Sequence, residues 1–428
     1  MSALNPIRER CGVRSPFLAL AVALALTLAL SVPVTGVAMA AGSATTNPAP
    51  TAASAPPPGD CAAAGPAAAG PRFPAARRVD RRPDDPAIGL PAYRVPVAYP
   101  ETGTTITRIT DRPAGDTATR VFKHDYARRA AWNADGSRLM LIRPYPAQLL
   151  DGTTYRPIAR HGTPSDPIWS NRDPDLIFGL TDGDALVRYS VATERMTVVR
   201  RFAGYDSLSI GGGEGVQSDD DRYLVLLGSR RGGVDLIVHD LVDGTTAVKP
   251  FPGLTGPNGD IDWAGVSPSG RFVVVKVDRG RFDRGFDVYD LRTLTRQRRL
   301  LPGSQAHADL GYDDQGDEVL VTSDTASTAI VSVRLRDGRK REQLSARVAT
   351  HNLHVSCRNV RRPGWCYVST YPETSGFDAY LYRGIFALPL DGSGRVERFA
   401  PAFFAQSPAD LGYERQAWAA LTGPRCGK

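Results

Sequence analysis

The chain has 428 residues, of which 42% are hydrophobic and 23% charged, a balance that excludes a multi-span membrane protein and a wholly disordered chain. Lys+Arg number 52 against 45 Asp+Glu, a net charge of +7, and only residues 123, 249, 276, 340 and 428 are lysine. The arginines are scattered among acids rather than gathered in runs, which argues against a nucleic-acid partner.

The first predicted element is an export signal. Arg8, Arg10 and Arg14 form a positive leader, residues 16–34 are apolar, and Ala38-Met39-Ala40 is a small-x-small cleavage site. Cleavage removes residues 1–40, leaves a net charge of +5 and leaves no membrane-inserted segment. The expected destination is the periplasm or the outside of the cell. Residues 41–90 are rich in Ala, Pro, Gly, Ser and Thr, with almost nothing to bury. They read as a disordered linker.

A single domain is expected over residues 91–428. Its dominant property is a repeat. A turn such as Trp132-Asn133-Ala134-Asp135-Gly136 precedes a strand of β-formers, Arg138 to Ile142. Equivalent turns begin at Trp169, Gln217, Val266 and Tyr312, spaced by 37, 48, 49 and 46 residues from Trp132 onward, and a looser copy runs through Arg362-Pro363-Gly364. Each copy is followed by alternating strands joined by turns such as Asp243-Gly244, Asp337-Gly338 and Asp391-Gly392. About four strands per period, with almost no helical periodicity, predict an all-β fold: a β-propeller of four-stranded blades. One such sheet has two apolar faces that only neighbouring sheets can cover.

Six copies are visible, and six or seven blades follow. Seven is favoured, with a short last blade built from both ends of the chain. The strand at residues 104–110 would pair with the last blade, and residues 411–418 would begin the seventh. The four cysteines left after cleavage suggest two disulfides, Cys357–Cys366 across a turn and Cys61–Cys426 across the ends. No Cys-x-x-Cys pair marks a zinc ribbon. The turn followed by a hydrophobic strand resembles the repeat of TolB-like secreted propellers over roughly residues 100–400. The Gly-His and Trp-Asp pairs of the tryptophan–aspartate repeats are absent.

Propeller ligands bind where loops entering the innermost strands converge. Counting three positions back from each repeat turn gives Arg129, Asp166, Glu214, Trp263 and Asp309 at one structural level. These residues either line a ligand site or tie blade to blade by hydrogen bonds. Gly211 to Gly215 lacks the Gly-Lys-Ser/Thr of a phosphate loop and reads as a flexible turn over the channel. No Gly-x-Ser-x-Gly elbow occurs. Ser356-Cys357-Arg358-Asn359 is either a disulfide-braced hairpin or a projection that carries Arg358 and Asn359 to the mouth.

Of six histidines, His124, His307, His351 and His354 lie just before innermost strands, His161 lies in a similar loop and His239 on an outer strand. His307, His351 and His354, with Asp309 nearby, form a candidate site for Mn²⁺ or Zn²⁺. The cluster resembles the manganese centre of oligogalacturonate lyases, which uses three histidines and a glutamine. The resemblance implies His307, His351 and His354 as ligands, although here the spacing is His351-x-x-His354 and position 356 is serine. Lyase chemistry would need a base for the proton beside a uronate carboxylate, with Arg129, Arg358 or Lys123 as candidates. Two functions are therefore expected. The first is a non-catalytic, monomeric propeller that binds a glycan or protein at the channel mouth. The alternative is a metal-dependent lyase acting on acidic sugars.

Overall fold

The computed structural model describes residues 91–98, 105–110, 124, 129–142, 147–158, 162–211, 215–257, 259–279, 283–304, 307–324, 326–327, 329–345, 353–358, 362–370 and 384–401. The export signal, the linker, residues 411–418, Lys123, His161, Glu214, His351, Asn359, Cys61 and Cys426 lie outside the described residues.

Alternation and β-branched runs produce strands throughout, with no helix among the described residues. β1 (Pro96–Ala98) and β2 (Thr105–Thr107) form a two-stranded sheet, as do β3 (Arg138–Leu141) and β4 (Gln148–Asp151). Five four-stranded sheets follow. The first holds β5 (Ser165–Trp169), β6 (Leu176–Thr181), β7 (Ala185–Ser190) and β8 (Arg195–Arg201). The second holds β9 (Ser207–Ser209), β10 (Tyr223–Arg230), β11 (Gly233–Asp240) and β12 (Thr246–Pro252). The third holds β13 (Ile261–Val266), β14 (Phe272–Arg279), β15 (Asp283–Asp290) and β16 (Arg296–Leu300). The fourth holds β17 (Ala308–Tyr312), β18 (Glu318–Asp324), β19 (Ala329–Arg334) and β20 (Lys340–Ser345). The fifth holds β21 (Leu353–Ser356), β22 (Trp365–Thr370), β23 (Gly384–Pro389) and β24 (Glu397–Pro401). Within each sheet, chain neighbours are hydrogen-bonded neighbours, and all pairs are antiparallel.

The predicted strand at residues 104–110 is present as β2, but it pairs with β1 rather than with the last sheet. A partner 7 to 11 residues away closes at lower entropic cost than one at the far end of the chain. β3 and β4 are extended by the Trp132–Leu139 and Leu150–Pro157 bridges, which give the first repeat four short segments.

Burial explains the order of strands. The segment that follows β9 touches β13 of the next sheet: Ala264 N donates to Gly211 O and Val266 N to Gly215 O, each at 2.8 Å. Second and third strands are buried on both faces and read as nearly continuous apolar runs, whereas β8 is exposed along most of its length. On β14, Val273, Val275 and Val277 join a core shared with the preceding two sheets, while Phe272 and Val274 join one shared with the following sheet. Each fully buried side chain of this kind contributes about 1.5–3 kcal/mol, so sheet-on-sheet stacking holds the fold together.

Most of the repeat turns take a left-handed residue at the fifth position, the turn at Trp169 excepted. Gly136, Gly270, Gly316 and Gly364 supply it with φ of 78°, 74°, 77° and 80°. In the β9–β12 sheet that position is Asp221, at φ 59°, which places a carboxylate where those four repeats have no side chain.

Cys357 and Cys366 are disulfide-bonded across the turn entering β22. Closing so short a loop removes unfolded-state entropy equivalent to about 2–3 kcal/mol. Reduction with dithiothreitol is therefore expected to lower the unfolding midpoint, read by circular dichroism. An unchanged midpoint would mean that the reduced loop is already ordered in the unfolded chain.

Candidate functional site

Parallel innermost strands bring residues at equal depth into register, and their first residues meet at one end. Arg129 is buried; its Nη1 donates to Asp166 Oδ1 at 2.6 Å and its Nη2 to Ile210 O at 2.9 Å. Asp166 Oδ2 accepts from Ile210 N at 2.5 Å. Arginine and carboxylate thus stitch three successive sheets. Asp309 is fully buried and accepts from Cys357 N at 2.6 Å, a tie between the fourth and fifth sheets. Trp263 is also buried. Its ring packs on Phe286 at 5.9 Å inside the core between the third and fourth sheets.

His307, just before β17, and His354, on β21, meet ring to ring with centroids 4.3 Å apart and planes tilted by 38°. Chain residues 47 positions apart are joined here by blade packing alone. His307 O accepts from Thr322 Oγ1 at 2.7 Å, which fixes the backbone beneath the ring. The pair offers two imidazole nitrogens, donors that suit a first-row divalent ion. Among the described residues, no group of three or more His, Cys, Asp or Glu stands ready to hold a metal. Further donors would come from the ligand, water or residues beyond those described.

Lys276, on β14 opposite Trp263, completes the neighbourhood. Its side chain is 1% exposed, yet it carries an ammonium that donates to Ser304 O at 3.1 Å and faces Asp278 Oδ1 at 3.6 Å. Desolvation by burial pulls its pKa below the usual lysine value, opposed by Asp278 and Asp262. Sequence reasoning passed over this residue. The available signal was a lysine inside Phe272-Val273-Val274-Val275-Lys276-Val277, in a chain with five lysines.

Arg358 lies past the other end of its strand. It follows His354 by four residues, about 13 Å along an extended chain. Its Nη1 donates to Gln217 O at 2.6 Å and to Asp219 Oδ1 at 3.0 Å, and its Nη2 donates to Val266 O. The guanidinium therefore bridges the second, third and fifth sheets. Gly215 makes room for it: a Cβ there would stand 3.1 Å from Arg358 Nη2. Of the residues singled out from the sequence, the structure brings together Arg129 with Asp166, and His307 with His354. Arg358 it holds at the opposite strand end.

No family model matches the chain, and no curated protein matches it. Among solved structures, it is similar to an oligogalacturonate lyase in complex with manganese, at 17% identity and TM-score 0.52, over 74% of this chain and 87% of that one. A second oligogalacturonate lyase, from Vibrio parahaemolyticus, matches at 12% identity and TM-score 0.52, over 75% of this chain and 88% of that one. The fold is a β-propeller. TolB from Acinetobacter baumannii matches at 18% identity and TM-score 0.36, over 67% and 65% of the two chains. The four-stranded sheets are thus blades of this propeller, and His307 and His354 lie where two of the first strands, β17 and β21, begin.

Proposed function

We propose that this chain is an exported β-propeller that binds a glycan or protein ligand, without chemistry, at the mouth where its innermost strands begin. The observation that carries this reading is the His307–His354 contact, two polar rings converging from adjacent blades at one strand end. At the opposite end the Arg358 guanidinium is spent on backbone carbonyls and Asp219. The Cys357–Cys366 bond suits an oxidising compartment outside the cytoplasm.

A second reading, a metal-dependent lyase on acidic sugars, is favoured by the same imidazole pair and by the manganese in one similar structure. His307 and His354 would then hold the ion, which would stabilise negative charge developing beside a uronate carboxylate.

Titration of the purified chain with a panel of neutral and galacturonate oligosaccharides tests both. The double variant His307→Ala, His354→Ala is expected to lose at least about tenfold in affinity, the scale of one or two good hydrogen bonds. Because His354 is buried, the single variant His307→Ala is measured beside it. Full affinity in the double variant removes the mouth from consideration. Unsaturated sugar product, formed only with added Mn²⁺, selects the lyase.

A further inference from the structure

We propose that Lys276 is a positioning residue for this mouth: its buried ammonium grips the Ser304 carbonyl and so sets where His307 stands. The inference rests on the mouth being the ligand site.

Lys276 belongs to the third blade and Ser304 to the segment entering the fourth. Two bonds anchor that segment to its neighbour, since Gly303 N also donates to Arg284 O at 2.8 Å. Three residues beyond Ser304 comes His307, resting against His354 of the fifth blade. Contacts therefore tie β14 to Ser304 and His307 to β21, and only two residues separate Ser304 from His307 in the chain.

The energetics argue that this amine is kept for placement rather than for stability. Its surroundings are apolar: the Phe286 ring lies 5.4 Å from Nζ and Trp263 sits directly across the ladder. The charged groups facing it are Asp278 from its own strand, Asp262 from β13 and Arg284 from β15. Asp278 Oδ1 is shared with Arg284 Nε at 3.1 Å, so its attraction for the ammonium is divided. A buried charge whose contact with its counter-ion Asp278 is long and shared costs more than an apolar side chain of equal length. Methionine would fill the same space without that cost, but would leave the Ser304 carbonyl with no partner from β14.

Three variants and three measurements decide the matter. Lys276→Met removes the charge, Lys276→Gln keeps an uncharged donor, and Lys276→Arg keeps a permanent cation. Hydrogen exchange around Ser304 and His307 is expected to speed up about tenfold in the Met variant, the scale of one bond to a charged group, with partial protection in Gln and most in Arg. Trigalacturonate affinity is expected to fall in the same order, while the Met unfolding midpoint equals or exceeds that of the original chain. The third measurement is stability against pH. Because the folded-state pKa lies below the ordinary 10.5, the unfolded chain binds more protons between the two values. Stability therefore rises with pH across that window in the original chain, and the rise is absent in the Met variant.

A Met variant that unfolds, or whose exchange around Ser304 matches the original, overturns the proposal. If trigalacturonate binds no form of the protein, the ligand reading fails, and the exchange measurement still decides whether Lys276 places His307.

Discussion

Arg358→Ala is expected to destabilise the protein by about 3–5 kcal/mol, the cost of stranding the buried acceptors of a charged donor. The guanidinium is the shared donor for Gln217 O, Val266 O and Asp219 Oδ1, contributed by two blades other than its own. Once it is removed, two carbonyls face a void that an alanine methyl does not fill. Asp219, whose side chain is one-third exposed, recovers water, so the carbonyls carry most of the loss. For a domain of this size the unfolding midpoint should fall on the order of 10 °C, measured by calorimetry. Arg358→Lys should recover little, because one ammonium cannot span acceptors on two strands. A drop of under about 2 °C for alanine would mean that the inter-blade ties are worth far less than a buried charge pair.

The second large effect is expected at Asp221. Its carboxylate reaches from the second blade into the repeat turn of the first. It accepts from Ser170 Oγ at 2.5 Å, Asn171 N at 2.9 Å and Arg172 N at 3.1 Å, and from Gln217 Nε2 of its own blade at 3.3 Å. Asp221→Gly installs the residue that four other repeats carry and removes all four bonds without adding left-handed strain. The expected loss is about 2–4 kcal/mol, from buried donors left unsatisfied. Asp221→Asn keeps one acceptor oxygen and tolerates the positive φ, so it should lose less than half as much. Burial outweighs the hydrogen bonds and holds the Asp221 carboxyl above its ordinary 3.8. The folded chain thus binds more protons just above that value, and stability falls as pH rises through this window. Chemical denaturation of the original chain and the glycine variant from pH 3.5 upward checks the sign. Parallel curves would show that the carboxyl titrates no differently when folded.

Much of the fold was legible because the repeat is a local property. A turn with a left-handed fifth residue and two or three apolar strands after it can be recognised wherever it recurs. Alignment of the repeats also set Arg129 and Asp166 at one level, and the structure joins them. The same alignment treated Trp263 as equivalent to them. The bulge falls at different places in the two strands, between Ser165 and Ile168 in β5 and between Ile261 and Trp263 in β13. The same count back therefore reaches a regular ladder position in β13, where the indole packs in the core between blades. Bulges of this kind leave no spacing signal beforehand. Arg358 was legible as a braced arginine, but not as a bridge, because its acceptors lie 92 and 141 residues away.

The sequence by itself determined that sheets form, where their turns fall and that they must stack, because strand alternation and turn chemistry are written within each period. Tertiary structure alone decided what the polar residues do. His307 meets His354, Lys276 reaches Ser304 and Arg358 crosses to two other blades because packing sets the distance between strands that share no local sequence. A side chain buried there must take its hydrogen-bond partner from whichever blade the ring brings beside it.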